Sequence, residues 1–441
     1  MTSLLQPVGW IDLPNELMLD VLSRIEVWDL LVLCPTSRQI YAHCMTRIYR
    51  SITLEDIVQL IKCFKAIILH TEAAEAVHNL QILCSPSCPL KSFYAIVHRA
   101  IQRLKNLRTL KVHTSCTIFH LFYDMHFPHL SALELEVTPW DDVISFLKHN
   151  PMLSTLRIFP IDSISLIIEQ SDVGLAPTAP MPPIQMPKLQ TFFGPTLLAS
   201  AIVPGSLTSD ISIVWEGSRS TSFSDCLATL VLSKAEIVAV NNYVCTWDCS
   251  SLLLAIAHHI PQVQRLQFVN ISGSWQQYEL FLASVEDSLP SFECLGQLEL
   301  HSLIPPNAQL FNDDLDAGFR LASRWGEICP SLEIVCFPDD VPWARFHDWI
   351  PEAAVEALNH DIGRITIDET TMRQLKWFFA KTLTPASPPS YLGFARYLLG
   401  EDGLIAMENA IANLGDLPNF ELERGSPMDV LRITFLAQTL T

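Results

Sequence analysis

A short apolar phrase recurs along most of the chain: two apolar residues three positions apart, then a third two positions later. The first copy that we recognise is Leu107-Leu110-Val112. Its last two apolar residues alternate with polar ones, as on a half-buried strand. Further copies begin at Leu130, Leu153, Leu189, Leu227, Val263, Leu295, Leu332 and Ile362. Proline stands two residues ahead of Leu130, Leu153, Leu189, Val263 and Leu332. The phrase therefore predicts a series of strands, and in five of the nine copies a proline that can end a helix stands before the strand.

Helical periodicity fills many of the intervals between these phrases. Apolar residues at spacings of three and four predict helices at 54–69, 93–104, 143–147, 252–257 and 278–285. A helix–proline–strand unit that repeats with variable spacing is typical of a solenoid. The expected fold class is α/β, an irregular solenoid with parallel strands on the concave face and helices on the convex face. Unrelated αβ units that reuse a leucine-rich strand are the alternative.

Residues 11–50 have a different pattern, which predicts three short helices. Pro14 suits the first turn of a helix, where its missing N–H is not needed. Leu17, Val21 and Ile25 recur every four residues and give that helix an apolar face. A second apolar run, 30–33, stops before Pro35, and Ser37 is a suitable N-cap for the third helix. So small a unit buries little core alone and needs a neighbour or a partner.

The order L-P-x-E-L, V-L-S-R-I, D-L-L and S-R-x-I-Y in this stretch resembles the F-box, the adaptor-binding module of SCF-type ubiquitin ligases. The segment 48–54 is similar to the one by which many fungal F-box proteins leave that module. The later repeats resemble the degenerate leucine-rich repeats that follow the F-box in many of those proteins. Trp28 and Pro35-Thr36 depart from the family pattern, which places the joins between the helices in question.

The resemblance implies a non-catalytic substrate receptor that binds a Skp-type adaptor and, through it, a cullin. The residues that it assigns to the adaptor surface are Leu13, Pro14, Leu17, Val21, Leu22, Ile25, Leu30 and Ile40. The alternative is a leucine-rich-repeat interaction scaffold whose N-terminal helices only cap the solenoid.

A protein target is expected on the concave strand face, because side chains alternate across a strand. Residues beside the buried pair in each phrase point there: Lys111, His113, Glu134, Glu136, Arg157, Phe159, Phe193, Arg265, Gln267, Glu299, His301, Arg364 and Thr366. Mixed charge signs with exposed aromatics suit a protein ligand better than a polyanion.

Composition limits the classes of partner and the cell compartment that we expect for this protein. The net charge of −19 argues against a nucleic-acid backbone, which needs a basic face. An apolar content of 49% with 17% charged residues excludes wholesale disorder. No apolar run reaches the ~18 residues that a membrane span needs. The first ten residues lack the features of a secretory signal. We therefore expect a cytoplasmic or nuclear protein whose twelve scattered cysteines are free thiols.

Signatures of catalysis and cofactor binding are absent from the sequence. It contains no GxxxxGK[ST], HExxH or GxSxG motif. Two pairs, Cys84 with Cys88 and Cys245 with Cys249, have loose metal-ligand spacing but lie 157 residues apart. His258 and His259 are adjacent, so they point to different faces of a helix. We predict no enzyme activity, no cofactor and no metal site.

The predicted domain organisation has three parts. An F-box-like helical domain occupies 8–54, the repeat array 55–383, and a C-terminal helical and strand cap 384–441. Surface loops are expected at 174–187, 216–224 and 384–390, which are rich in proline or polar residues.

Overall fold

A computed structural model describes residues 14–84, 91–113, 119–136, 140–159, 181–215, 222–272, 275–303, 315–338, 341–345, 349–351, 374 and 377–378. The chain forms two compact units. The first comprises 1–216 with 228–237, and the second comprises 217–227 with 238–441.

The first unit begins with helices and continues as alternating strands and helices. Its helices are α1 (Asn15–Arg24), α2 (Val27–Leu33), α3 (Arg38–Ile48), α4 (Ile57–Leu69), α5 (Thr71–Ala76), α6 (Lys91–Ile101), α7 (Trp140–His149) and α8 (Thr196–Ile202). Its strands are β1 (Ser51–Leu54), β2 (Asn79–Ile82), β3 (Thr109–His113), β4 (Ala132–Glu136), β5 (Thr155–Phe159), β6 (Thr191–Pro195) and β7 (Asp210–Val214).

The seven strands of this unit lie side by side in chain order, and each pair from β1 to β7 is parallel. One face of the sheet is apolar: Leu110 and Val112 on β3 are fully buried, as are Leu133 and Leu135 on β4. The intervening side chains lie on the opposite face and are less buried. Parallel neighbours need a crossover connection, and the helices supply it at several steps.

The second unit repeats this arrangement and ends differently. Its strands are β8 (Ala239–Val244), β9 (Arg265–Asn270), β10 (Gln297–Ser302), β11 (Ile334–Cys336), β12 (Pro342–Arg345) and β13 (Trp349–Pro351). Its helices are α10 (Ser250–His259), α11 (Tyr278–Ser288) and α12 (Leu315–Ile328), while α9 (Phe223–Leu230) contains the boundary between the units. Strands β8 to β11 pair in parallel, whereas β12 and β13 add to the sheet as antiparallel strands.

A carbonyl that accepts two hydrogen bonds marks the start of most parallel strands. The oxygen of His78, just before β2, accepts from the amides of Arg108 at 2.7 Å and Thr109 at 3.0 Å, at the start of β3. The same two-donor contact recurs at the carbonyls of Arg50, Arg108, Ser131, Ser154 and Gln190 in the first unit, and of Val238, Gln264 and Gly296 in the second. At these positions the start of a strand is therefore fixed to the strand before it.

The N-terminal helices lie close to the predicted positions, although α2 begins at Val27, ahead of the predicted apolar run at 30–33. The Ser37 hydroxyl accepts from the Ile40 amide at 3.1 Å and caps α3. Helix α2 ends at Leu33, two residues before Pro35, and α1 begins directly after Pro14. The Arg47 guanidinium on α3 donates to the Leu22 carbonyl near the end of α1, which ties the first helix to the third.

The predicted α/β class is confirmed, and one predicted strand is wrong. The phrase that begins at Leu227 lies mostly in α9, because its first two leucines are three residues apart, a spacing that also suits a helix. The phrase did not identify β1, β2, β7, β8, β12 or β13. The predicted loop at 174–187 is described only from 181 onward; there it has no regular structure, but Ile184 and Met186 are buried.

Several predicted features lie outside the described residues. They are Leu13, the phrase that begins at Ile362 with Arg364 and Thr366, the loop at 384–390, and the C-terminal cap. Over the part of the chain that the structure describes, no helix has the length and apolar content to cross a membrane.

Candidate functional site

The three N-terminal helices enclose a small core of their own. Met18, Leu22, Leu30, Ile40 and Cys44 are buried together, and the half-buried residues Ile25, Leu33, Cys34 and Ile48 pack against them. Burial of the Cys44 thiol, with a smaller contribution from neighbouring Cys34, raises its pKa to about 11. Leu22, Leu30 and Ile40 therefore hold the helices together and face away from solvent.

Large apolar side chains also remain exposed on the first two helices. Leu17 and Val21 share one face of α1, and Val27, Trp28, Leu31 and Val32 lie on α2; we call these six residues the α1–α2 apolar surface. Trp28 is 78% exposed and Val32 is 73% exposed. Single exposed leucines are common, but two short helices with seven exposed large apolar side chains, these six and Leu19, carry more than scattered exposure accounts for.

Of the residues assigned to the adaptor by resemblance, Leu17, Val21 and Pro14 are exposed. Leu13 lies outside the described residues, and Leu22, Leu30 and Ile40 lie in the core. The sequence reasoning missed Val27, Trp28, Leu31 and Val32. The signal was present, because the run from Val27 to Leu33 is apolar except for Asp29, so a helix there cannot bury every apolar side chain.

A second surface lies on the less buried face of the strands of the first unit. We call it the first open face and define it by Lys111, His113, Glu134, Glu136, Arg157, Phe159 and Phe193. In the strand register, Lys111 lies beside Glu134, Glu134 beside Arg157, and Arg157 beside Phe193. His113, Glu136 and Phe159 form the next row. The pattern of the repeats placed all seven residues on this face.

An ion-pair network occupies the β3–β4 side of the first open face. Lys111 Nζ lies 2.9 Å from Glu134 Oε2, and His113 Nε2 lies 3.0 Å from Glu134 Oε1. His113 Nδ1 is also 3.5 Å from Glu136 Oε2. Burial opposes ionisation of Glu134, but Lys111 and His113 outweigh it and hold the pKa of this carboxyl below its usual value.

The β5–β6 side of the first open face is aromatic and cationic. The rings of Phe159 and Phe193 have centroids 4.5 Å apart, and the His113 ring lies 6.0 Å from Phe159. Arg157 is exposed between these groups. Among the residues that the structure describes, none forms an ion pair or hydrogen bond with its guanidinium. Arg157 therefore differs from Lys111 and His113, whose partners are in place.

In the second unit, four predicted residues lie on β9 and β10. Gln267 Nε2 donates to Glu299 Oε2 at 2.7 Å, and His301 Nε2 lies 3.0 Å from the same oxygen. The hydrogen bond from His301 lowers the pKa of Glu299, and burial opposes it in part. Arg265 is exposed at the start of β9. These contacts are local to the sheet face and leave Glu299 already satisfied.

The described residues offer no metal site. They contain no group of three or more His, Cys, Asp or Glu side chains arranged to hold an ion. Cys84, Cys245 and Cys249 are free thiols, and burial raises the pKa of each. Ser224 Oγ lies 2.7 Å from His259 Nε2, but the serine is exposed on the surface.

Comparison with known protein families gives one match. Residues 10–51 match the F-box domain, which is the stretch that forms the three N-terminal helices. The match supports an F-box at the N-terminus and extends over only a small part of the chain. No curated protein matches the sequence.

Proposed function

We propose that this chain is a substrate-receptor subunit of an SCF-type ubiquitin ligase. The observation that carries the proposal is that the F-box match at 10–51 coincides with a two-helix surface of exposed apolar residues. F-box proteins are generally non-catalytic, and the proposal assigns the chain no chemistry of its own. Its role is to hold a target protein near the ligase.

The adaptor would dock on the α1–α2 apolar surface. Trp28 is a large aromatic side chain with most of its area exposed, and buried aromatics commonly anchor interfaces. Leu22, Leu30 and Ile40 would act indirectly by holding the helices in place. The alternative is a scaffold whose N-terminal helices only cap a solenoid. It gives no reason for large apolar side chains to face solvent.

The target protein would bind the sheet faces. We infer that the strand–helix units are irregular leucine-rich repeats, because the strands follow chain order, pair in parallel and alternate buried with accessible side chains. The accessible residues predicted on these strands are then the binding surface. Assembly with a Skp-type adaptor and a cullin would place the chain in the cytoplasm or nucleus.

A pull-down with a purified Skp-type adaptor tests the proposal. Leu17→Asp with Leu31→Asp introduces charge at exposed positions, so the helices should fold while adaptor capture falls at least tenfold. Val58→Asp is the matched control, because Val58 is 55% exposed on α4, outside the N-terminal helices. Circular dichroism should show the same helix content in all three proteins.

Two outcomes would contradict the proposal. One is that the intact chain captures no adaptor. The other is that Leu17→Asp/Leu31→Asp captures as much adaptor as the Val58→Asp control does. In either case the N-terminal helices would be a cap, and the scaffold alternative would stand.

A further inference from the structure

We propose that the first open face binds an extended peptide of a partner protein whose carboxylate side chain pairs with Arg157 and whose neighbouring apolar side chain packs on Phe159 and Phe193. The proposal rests on the proposed function and names the kind of target segment that the receptor would hold.

Charge complementarity on this face points to a single site for an anion. Lys111 and His113 already have carboxylates within 3.0 Å. Arg157 is exposed, and no described residue neutralises its guanidinium. In a chain of net charge −19, a cation on a sheet face with no partner among the described residues is an unusual local feature. A guanidinium presents a fork of N–H groups that fits a carboxylate in two parallel hydrogen bonds.

The neighbouring rings define the other half of the site. Phe193 lies beside Arg157 in the strand register, and Phe159 is the next accessible residue along β5. Their centroids are 4.5 Å apart, so the two rings form one apolar platform. Arginine and aromatic side chains are the residues that most often dominate binding energy at interfaces.

The charges around Arg157 favour a carboxylate over a phosphate. Glu134 is its register neighbour on β4, and Glu136 lies in the next row. A phosphate carries about −1.5 to −2 charge and is repelled by nearby carboxylates. One guanidinium with two glutamates on the adjacent strand suits a monoanion, whereas phosphate sites usually gather several cations.

A groove on the same face gives the peptide a path. Residues of β1 to β3, most of them polar, line an open depression of about 300 Å³ that reaches Lys111. The register places Thr53, Gln81, Lys111, Glu134, Arg157 and Phe193 in one row across six strands. At about 4.8 Å between strands this row spans roughly 24 Å, the length of about seven extended residues. At the Thr53 end of this row, polar side chains can form hydrogen bonds with the peptide backbone. At the other end, Arg157 and Phe193 can bind the peptide's side chains.

The test is a selection of seven-residue peptides displayed on phage against the immobilised full-length chain. Enriched peptides should carry Asp or Glu next to a Phe, Leu, Ile or Met. Their affinity should fall at least about tenfold in Arg157→Gln, since a hydrogen bond to a charged group is lost. Arg103→Gln, which alters an exposed arginine just after α6 that is not part of the first open face, should bind like the wild type. Arg157→Glu should reject the acidic peptides and bind versions in which Lys replaces the acid.

Three results would overturn the proposal: no enrichment of acidic residues, equal binding to wild type and Arg157→Gln, or tighter binding when phosphoserine replaces the Glu. Adaptor capture is measured on the same preparations, which separates the two proposals. If capture succeeds while peptide binding ignores Arg157, only the peptide site is wrong. If capture fails while Arg157-dependent binding persists, the ligase assignment is wrong and the peptide site stands.

Discussion

The indole of Trp349 lies against Gly326 so closely that a Cβ at that glycine would stand 2.6 Å from Trp349 Nε1. Gly326 is buried in α12, and Trp349 belongs to the final antiparallel strand. The close approach depends on the missing side chain, because real Cβ atoms essentially never come within 3.0 Å of another atom. The last strand, β13, therefore packs on α12 through direct contact of the Trp349 ring with the glycine backbone.

Gly326→Ala should destabilise the second unit by about 1–3 kcal/mol, the usual cost of forcing a methyl group into a packed core. Thermal unfolding followed by tryptophan fluorescence measures the effect. Gly296→Ala is the control, because its nearest atom is 3.7 Å away, which is ordinary contact. Equal midpoints for the two variants would show that Trp349 moves aside without cost.

Arg47→Ala should loosen the first helix. The guanidinium bonds the Leu22 carbonyl, and such a charged hydrogen bond contributes about 1.5–3 kcal/mol. Hydrogen exchange should become faster for the amides of α1 and less so for those of α4. Arg24→Ala removes only an exposed ion pair with Asp20 and should leave exchange in α1 nearly unchanged. If both variants behave alike, the Arg47 contact does not hold α1.

The Glu134 network should make stability depend on pH in the acid range. The pKa of Glu134 is lower in the folded protein than in the unfolded chain, where it is about 4.3. Its contribution is therefore complete above that unfolded value and disappears as the pH falls through the lower folded value. The stability difference between the wild type and Glu134→Gln should be largest near neutral pH and vanish in strong acid. Denaturant titrations at several pH values test this, and a difference that is constant with pH would contradict it.

Cysteine reactivity should follow burial. Cys294 is the exposed thiol among the described cysteines, whereas Cys44 and Cys249 are buried and their pKa values are raised. Alkylation with iodoacetamide at pH 8, followed by mass spectrometry, should modify Cys294 first. Labelling of Cys44 should require unfolding of the N-terminal helices. Rapid modification of Cys44 in the folded protein would show that those helices open readily.

Two of the strands that the apolar phrase missed have polar residues at positions where the phrase expects apolar ones. For β7, Thr208 occupies the first apolar position; it is fully buried and its hydroxyl bonds the Leu189 carbonyl at 3.3 Å. For β8, Asn242 occupies the third position; it is fully buried and its amide donates to the Gln267 carbonyl at 3.1 Å. A buried polar side chain whose hydrogen bonds are made can replace a leucine, and hydropathy alone does not reveal this.

The missed strand β2 is a different kind of error. Val77, Leu80 and Ile82 fit the phrase and are buried, so the signal was in the sequence and was overlooked. The accessible face was predicted more completely, because alternation along a strand fixes which side chains share a side. The ion pairs of Glu134 were not predicted, since they depend on the register between β3 and β4.

The carbonyls that accept two amides have a consequence for how the chain tolerates change. A strand that starts at such a carbonyl takes its position from the strand before it, and not from the length of the connection between them. Insertions or foreign loops between repeats should therefore leave every downstream side chain on its own face. A one-residue insertion inside a strand would reverse the faces beyond it. The connecting segments are thus natural positions for grafting tags or new recognition loops.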